Sequence, residues 1–222
     1  MSLRVKFFAL IYDWQMAKSE RAGLGSYRRD LLADASGRLL EIGGGTGANL
    51  RWYGGTVKSL MITEPEVSML KRLQRKMREQ SRDAKALRAA AEDLPFTDNS
   101  FDTVVSTLVL CSVDDQPRAV RELRRVLRPG GTLVFLEHVR SDDPKTGRLQ
   151  DRMNGLNRFM VCCDCNRATL RTIEGAGFTV KRISHVDLPR APKFVRPSIM
   201  GTAVAPGDPG YPAGTELSAF ST

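Results

Sequence analysis

The feature that most constrains this chain is an apolar burst that runs straight into glycine: Leu39-Leu40-Glu41-Ile42, then Gly43-Gly44-Gly45-Thr46-Gly47. A short run of this kind predicts a buried strand. The glycines after it let the backbone turn sharply and approach a ligand that a Cβ would hold off. A strand, a glycine turn and then a helix is how α/β nucleotide-binding domains begin. Gly43, Gly45 and Gly47 are spaced G-x-G-x-G, so the third glycine comes one residue earlier than in the dinucleotide pattern G-x-G-x-x-G, and Glu41 stands two residues before the first. Taken alone, the turn is compatible with cofactor binding and with a plain strand-to-helix connection.

The flanking patterns extend the unit. Residues 3–14 place Leu3, Phe7, Leu10, Ile11 and Trp14 on one helical stripe, and a second helix is predicted over 25–34. Beyond the glycines come a helix over 49–53, a strand over 57–62, a helix over 66–82 and a short strand over 86–90. A loop marked by Pro95 and Asp98-Asn99-Ser100 leads to a strand over 103–107. Asp114 is placed to cap a helix running to Leu127, and the next strand covers 132–137. A helical region then follows Arg140, a helix covers 167–176, and apolar segments at 178–186 and 198–205 read as an antiparallel hairpin. Strands alternating with helices at this spacing predict one α/β domain: a Rossmann-like, doubly wound sheet, mostly parallel, with an antiparallel C-terminal strand. Residues 206–222 are rich in Pro, Gly, Ser and Thr and are expected to form a flexible tail.

Composition matters here for partners. The net charge of +9 raises nucleic acid, an anionic membrane or an acidic ligand. Residues 71–88 carry net +6 and residues 118–128 net +4, so the rest of the chain is close to neutral. Those two helices follow the second and fourth strands, and right-handed crossovers put them on opposite faces of the sheet. One nucleic-acid groove would need the charge on one side, with aromatic residues interleaved for base stacking. Nucleic acid is therefore disfavoured, and solvated basic faces are expected. No segment reaches the ~18 apolar residues of a membrane-spanning helix. The run from Phe7 to Tyr12 is too short for a signal peptide, so a cytoplasmic setting is expected.

Two further signals favour a cofactor. Glu64 ends the second strand, where an acid about 20 residues past the glycine turn accepts hydrogen bonds from ribose hydroxyls. The stretch Ala91-Glu92-Asp93-Leu94-Pro95-Phe96, followed by Asn99-Ser100-Phe101-Asp102, could lay backbone amides and apolar side chains along an adenine.

As a set, these blocks resemble the class I S-adenosylmethionine (SAM)-dependent methyltransferases with a quinone-biosynthesis-like core. The resemblance is carried by Leu40 to Gly47, Glu92 to Phe96, Phe101-Asp102 and Arg124 to Leu133. A narrower resemblance links Ile11 to Ala17, Gly47 to Tyr53, Thr107 to Val113, Glu137-His138-Val139 and Val195 to Gly201 with the membrane-associated alkyl-thiol methyltransferases of animals. Those relatives carry an N-terminal hydrophobic anchor, and this sequence offers only the stripe over residues 1–14. It also places Cys162 where a glycine is expected, Asn166 where a threonine is expected, and Ala90 where many relatives have an acid that reads the adenine amino group.

The resemblance implies SAM as cofactor, with Gly43 and Gly45 along its methionine part, Glu41 near its ammonium and Glu64 on its ribose. Ala91 and Glu92 would meet the adenine, Thr107 and Leu108 would face the sulfonium, and Gly44, Gly47, Asn49 and Pro65 would complete the cofactor set. It further implies a lid formed by residues 1–37 over a methyltransferase domain at 38–205. Peripheral contact with a membrane or simple packing on the domain are the alternatives for the N-terminal stripe. The reaction would be an in-line displacement to a small, lipophilic acceptor, with a thiol favoured. O- or C-methylation of a quinone- or phenol-like molecule is the alternative, and a non-catalytic SAM-binding or membrane-surface module is an alternative of another class. No obligate protein partner is implied.

The leaving group is a neutral thioether, so no acid is needed, and a thiol of pKa ~8.5 already supplies some thiolate near neutrality. Glu137 and His138, at the end of the fifth strand, are the candidate bases; His185 reads as structural. Tyr12, Trp14, Cys111 and Cys163 are the candidate acceptor contacts. Cys162-Cys163-Asp164-Cys165 fits no standard metal spacing, so no metal is expected. Reactive thiols touching the acceptor and small side chains lining its wall remain open readings.

Overall fold

A computed structural model describes residues 17–207 apart from residue 82. The helical stripe over 3–14, with Tyr12 and Trp14, and nearly all of the tail lie outside the described residues.

The chain enters through a π-helical turn (Glu20–Leu24) and helix α1 (Gly25–Leu32). It continues through β1 (Gly37–Ile42), β2 (Val57–Thr63), α2 (Val67–Glu79), β3 (Lys85–Leu87), β4 (Phe101–Thr107) and α3 (Gln116–Val126). The second half is β5 (Leu127–His138), α4 (Pro144–Val161), α5 (Thr169–Gly175), β6 (Thr179–Asp187) and β7 (Pro197–Val204). The seven strands form one sheet in the order β3-β2-β1-β4-β5-β7-β6. The first five are parallel, while β7 runs antiparallel to both β5 and β6. This is the doubly wound sheet with a late antiparallel hairpin that the patterning predicts.

The central strands β1, β4 and β5 are buried on both faces because both faces are covered, while β6 at the sheet edge is largely exposed. Leu40, Ile42, Val104, Leu133 and Phe135 pack under Ala119, Val120, Leu123 and Val126 of α3. Leu39, Leu60, Ile62, Val105, Val134 and Leu136 pack under Leu31 and Leu32 of α1 and Leu73 and Met77 of α2. Helices α2 and α3 thus sit on opposite faces, and their basic residues Lys71, Arg75, Arg78, Arg118 and Arg121 are exposed. Among the described residues no helix is long and apolar enough to cross a membrane.

The differences from expectation have local causes. The region 49–53 is a 3₁₀ turn (Leu50–Trp52) rather than a helix, since Asn49 and Tyr53 both turn inward to Glu41. β3 stops at Leu87 rather than reaching residue 90. Helix α3 is capped by Asp115, whose side chain accepts the Arg118 N–H at 2.9 Å, and not by Asp114, which pairs with Arg158 at 3.1 Å. β5 begins at Leu127, five residues early, because Leu127 pairs with Phe101 before a register shift and Thr132 then pairs with Thr103. Helix α5 starts later than residue 167 because the Arg167 guanidinium is held by Asp164 and by the carbonyls of Leu110 and Val113.

Candidate functional site

The strand order reverses between the parallel neighbours β1 and β4, and open α/β sheets bind ligands in the crevice at that edge. The glycine turn after β1 forms its floor. Gly43 and Gly45 both adopt φ +55°, a conformation that side chains disfavour. A Cβ on Gly43 would collide with Val109 at 2.6 Å, so this glycine lets the turn pack on the loop after β4. A Cβ on Gly45 would meet nothing within 4 Å and would project into open space, so the missing side chain leaves a cradle.

Glu64 is brought to this cradle across 19 residues of sequence. Its Oε2 accepts the Gly45 N–H at 2.8 Å and its Oε1 accepts the Glu66 N–H at 2.9 Å. Pro65 beside it is exposed, and its carbonyl accepts from Arg88 at 3.0 Å.

Behind the cradle lies a buried polar network. Glu41 accepts hydrogen bonds from Tyr53 Oη at 2.8 Å and Asn49 Nδ2 at 2.9 Å, and Asn49 Nδ2 also lies 3.0 Å from Thr107 Oγ1. Arg28 reaches in from α1, donating from Nη1 to Asn49 Oδ1 at 2.7 Å and Thr107 Oγ1 at 2.9 Å, and from Nε to Glu20 at 2.7 Å. A concavity lined by Arg28, Glu41, Gly43, Gly44, Gly45, Thr46, Ala48 and Thr107 opens from it. Burial pushes the Glu41 carboxyl up to about 7, and burial also raises Glu64.

Sequence reasoning missed Arg28. The available signal was an arginine on an apolar stripe, since Leu24, Arg28, Leu31 and Leu32 share the buried side of the N-terminal helices. A guanidinium and a carboxyl facing one concavity suit a zwitterionic amino acid end, and the open cradle at Gly45 suits close approach of its backbone. The residues present therefore fit a SAM cofactor.

The remaining expected residues border the same edge. Ala91 is buried, and Glu92 Oε1 accepts the N–H groups of Asp114 and Asp115 at 2.8 and 3.3 Å, tying the 91–96 loop to the start of α3. Leu108 adopts φ +61° and donates its N–H to Leu136 at 2.7 Å, ending β4 abruptly.

Glu137 is fully buried and occupied. Its Oε1 accepts from Ser106 Oγ at 2.6 Å and Val109 N at 3.1 Å, and Cys111 N lies 3.4 Å from its Oε2. Burial raises its pKa. These contacts make it a clamp on the turn after β4. His138 Nδ1 lies 4.0 Å from Cys163 Sγ, and the ligand atoms of Cys111, His138 and Cys163 all fall within 4.8 Å of one another.

The three clustered cysteines go separate ways. Cys162 is exposed, with φ +54° at the end of α4. Cys163 turns to Cys111 and His138. Cys165 is buried, its N–H donating to Asn154 Oδ1 at 3.1 Å. A hydrogen bond from the Cys111 thiol, with His138 adding to it, pulls Cys163 down to about 5, while the same contact and burial push Cys111 up. His185 lies exposed on β6, far along the sheet order from the glycine turn.

Residues 40–135 match the family model described as "Methyltransferase domain". The human thiol S-methyltransferase TMT1A is 34% identical over 204 residues, covering 89% of this chain and 82% of that relative. The chain belongs to the class I SAM-dependent methyltransferases. Within them it falls in the branch of the thiol S-methyltransferases. It also matches the ubiquinone/menaquinone biosynthesis C-methyltransferase UbiE of Hahella chejuensis, at 34% identity over 122 residues, 53% of this chain and 49% of the relative. Among solved structures the [4+2]-cyclase SpnF superposes with a TM-score of 0.67 at 21% identity, covering 83% of this chain and 80% of that one. That likeness shows the fold alone. This methyltransferase uses SAM as its cofactor and transfers the methyl group to a small-molecule acceptor.

Proposed function

We propose that this methyltransferase S-methylates small, lipophilic thiols. The observation that carries the reading is its similarity to a human thiol S-methyltransferase across most of both chains. Two features of the site support it. Glu137, the buried acid nearest the acceptor edge, has both oxygens engaged, so a substrate already partly ionised near neutrality suits this site. The wall formed by Cys111, His138 and Cys163 is small and thiol-rich. C-methylation of a quinone-like ring is the second reading, supported by the partial match to UbiE.

When bound, SAM supplies an electrophilic methyl group on its sulfonium. The chain's own residues then align and desolvate the reacting pair. Gly43, Gly44, Gly45 and Gly47 shape the turn along the methionine part. Arg28 and Glu41 face its carboxylate and ammonium, with Asn49 holding both side chains in place. Glu64 and Pro65 border the ribose, and the backbone of Ala91 and Glu92 borders the adenine. Thr107 and Leu108 stand beside the sulfonium. Cys111, His138 and Cys163 flank the acceptor, and Glu137 keeps the Cys111 turn in place. We further assign residues 1–37 to a lid carrying the acceptor contacts Tyr12 and Trp14, residues 38–205 to the methyltransferase domain and 206–222 to a tail. A reducing cytoplasm would keep all four cysteines as thiols, and peripheral membrane contact through residues 1–14 is the alternative to the lid.

A panel assay with radiolabelled SAM tests the reading. Alkyl and aryl thiols are expected to accept label, while matched phenols, hydroxyquinones and amines do not. Transfer to hydroxyquinones in preference to thiols would overturn it.

A further inference from the structure

The sequence offers a tight cysteine run that fits no metal spacing, yet the fold dismantles that run and builds a different cluster. Cys111 comes from the turn after β4, His138 from the last position of β5, and Cys163 from the segment after α4. Their sulfur and ring nitrogen atoms lie within 4.8 Å of one another. Two sulfurs and an imidazole nitrogen are the donor set of soft, tetrahedral metal ions and above all of zinc. Zinc takes sulfur at about 2.3 Å and nitrogen at about 2.0 Å, so ligand atoms around it stand about 3.5–3.8 Å apart. The observed triangle needs to close by about 1 Å or less.

The shell behind each ligand is built. The Cys111 backbone is held between Glu137 and the Asp164 N–H, which donates to its carbonyl at 2.8 Å. The Cys163 carbonyl accepts from Asn157 at 2.6 Å. Asp164, next in sequence, is clamped by Asn154, Arg158 and Arg167. His138 is fixed by its ladder position opposite Ser198, and its carbonyl accepts from Thr169 at 3.3 Å. Glu137 cannot serve as a fourth ligand because its oxygens are engaged. Among the described residues the cluster has three ligands and no fourth. Zinc sites that keep one position open are the catalytic kind, whereas structural sites close with four protein ligands.

We propose that Cys111, His138 and Cys163 form a three-ligand zinc site whose fourth position takes the acceptor thiol. The second half rests on the thiol reading above. Coordination replaces the thiol protons of both cysteines with Zn–S bonds. An incoming RSH binds as RS⁻ and releases its proton to solvent, so the sulfur meets the methyl group as a thiolate without a protein base.

Cobalt(II) reports the site directly. The full chain, stripped of metal and reduced with a phosphine, is titrated with Co²⁺ in the absence of SAM. A saturable thiolate-to-cobalt charge-transfer band with intense tetrahedral d–d absorption is expected, and Zn²⁺ should displace it. Cys111→Ser and Cys163→Ser should each weaken binding at least about 100-fold. His138→Ala offers an independent variant if either serine variant fails to fold. Cys162→Ser and Cys165→Ser should change affinity less than about twofold, a control against adventitious binding to the neighbouring run. Adding a small alkyl thiol should shift the charge-transfer band. No band, a band that survives Cys111→Ser, or a band indifferent to the thiol would each overturn the proposal. Thiol turnover measured separately keeps the two readings apart: turnover with an indifferent band sinks only the zinc site, and a shifted band without turnover sinks only the thiol reading.

Discussion

The two ends of the site, both on the C-terminal edge of the parallel strands, are built by different means. At the proposed cofactor end, the glycine turn and Glu64 sit on adjacent strands, and the Gly45 N–H donates directly to the Glu64 carboxylate. At the proposed acceptor end, Cys111, His138 and Cys163 arrive from three separate elements, and their proximity depends on a clamp (Glu137) and an ion-paired loop (Asp164 with Arg158 and Arg167). A site made of short-range geometry is legible from spacing. A site made by convergence can be named residue by residue, but the meeting of Cys111, His138 and Cys163 is not legible from spacing, and its behaviour should depend more on the surrounding packing.

The sharpest break of the cofactor end is Gly45→Val. The new side chain fills the cradle and is forced to φ +55°, so SAM affinity should fall at least about 100-fold by calorimetry while the far-UV circular dichroism is kept. Retained affinity would remove the glycine turn from the cofactor site.

Arg28→Met should come next. Deleting a buried guanidinium leaves Glu20 and the Asn49 amide oxygen without this donor and Thr107 with one donor fewer, so unfolding free energy should drop by about 3–5 kcal/mol in a urea titration. SAM binding should weaken with it.

Glu137→Gln separates a clamp from a base. As a clamp it should lose about 1–3 kcal/mol of stability with little change in the pH profile of kcat. A base would instead cost about 10²–10⁴ in rate and remove an acidic limb from that profile.

Glu41 sharpens the comparison through pH. Its carboxyl titrates near 7 because it is buried, so a cationic ammonium is met by a charged partner only above that value. SAM affinity should weaken as pH falls below about 7, approaching tenfold per unit, and binding near neutrality should release a proton. The free fold behaves in the opposite sense. A raised carboxyl binds its proton more tightly when native, so stability without SAM should decline as pH rises from 4.5 to about 7 and level off above. A Tm that rises across that window would contradict the burial of Glu41.

The smallest effect belongs to Cys162. It caps α4 in the left-handed region, where glycine carries no strain, so Cys162→Gly should stabilise the fold by about 1 kcal/mol and leave the cysteine–histidine cluster intact.

Much of the fold was readable because its signals are local. Leu39 to Gly47 reads as strand and turn from composition alone, and the opposite placement of the two basic helices follows from crossover handedness. Where local signals competed, the reading slipped. Asp114 and Asp115 are equally good caps on paper, and an ion pair with Arg158 draws the first away. Glu137 reads as a strand-end acid, and only the fold shows the N–H groups of Val109 and Cys111 turned onto it. Arg28 stands on an apolar stripe, but its role could not be read from the sequence because its partners lie 8, 21 and 79 residues away.

The sequence by itself determined the doubly wound sheet, the glycine turn and the acid opposite it, since period, glycine freedom and strand-to-strand spacing act over a few residues to a few tens. Only the tertiary structure decided which charged groups are buried, which cysteine faces which neighbour and which groups engage Glu137. Those outcomes depend on desolvation and on donors supplied by distant segments, and neither is written in the residues next door.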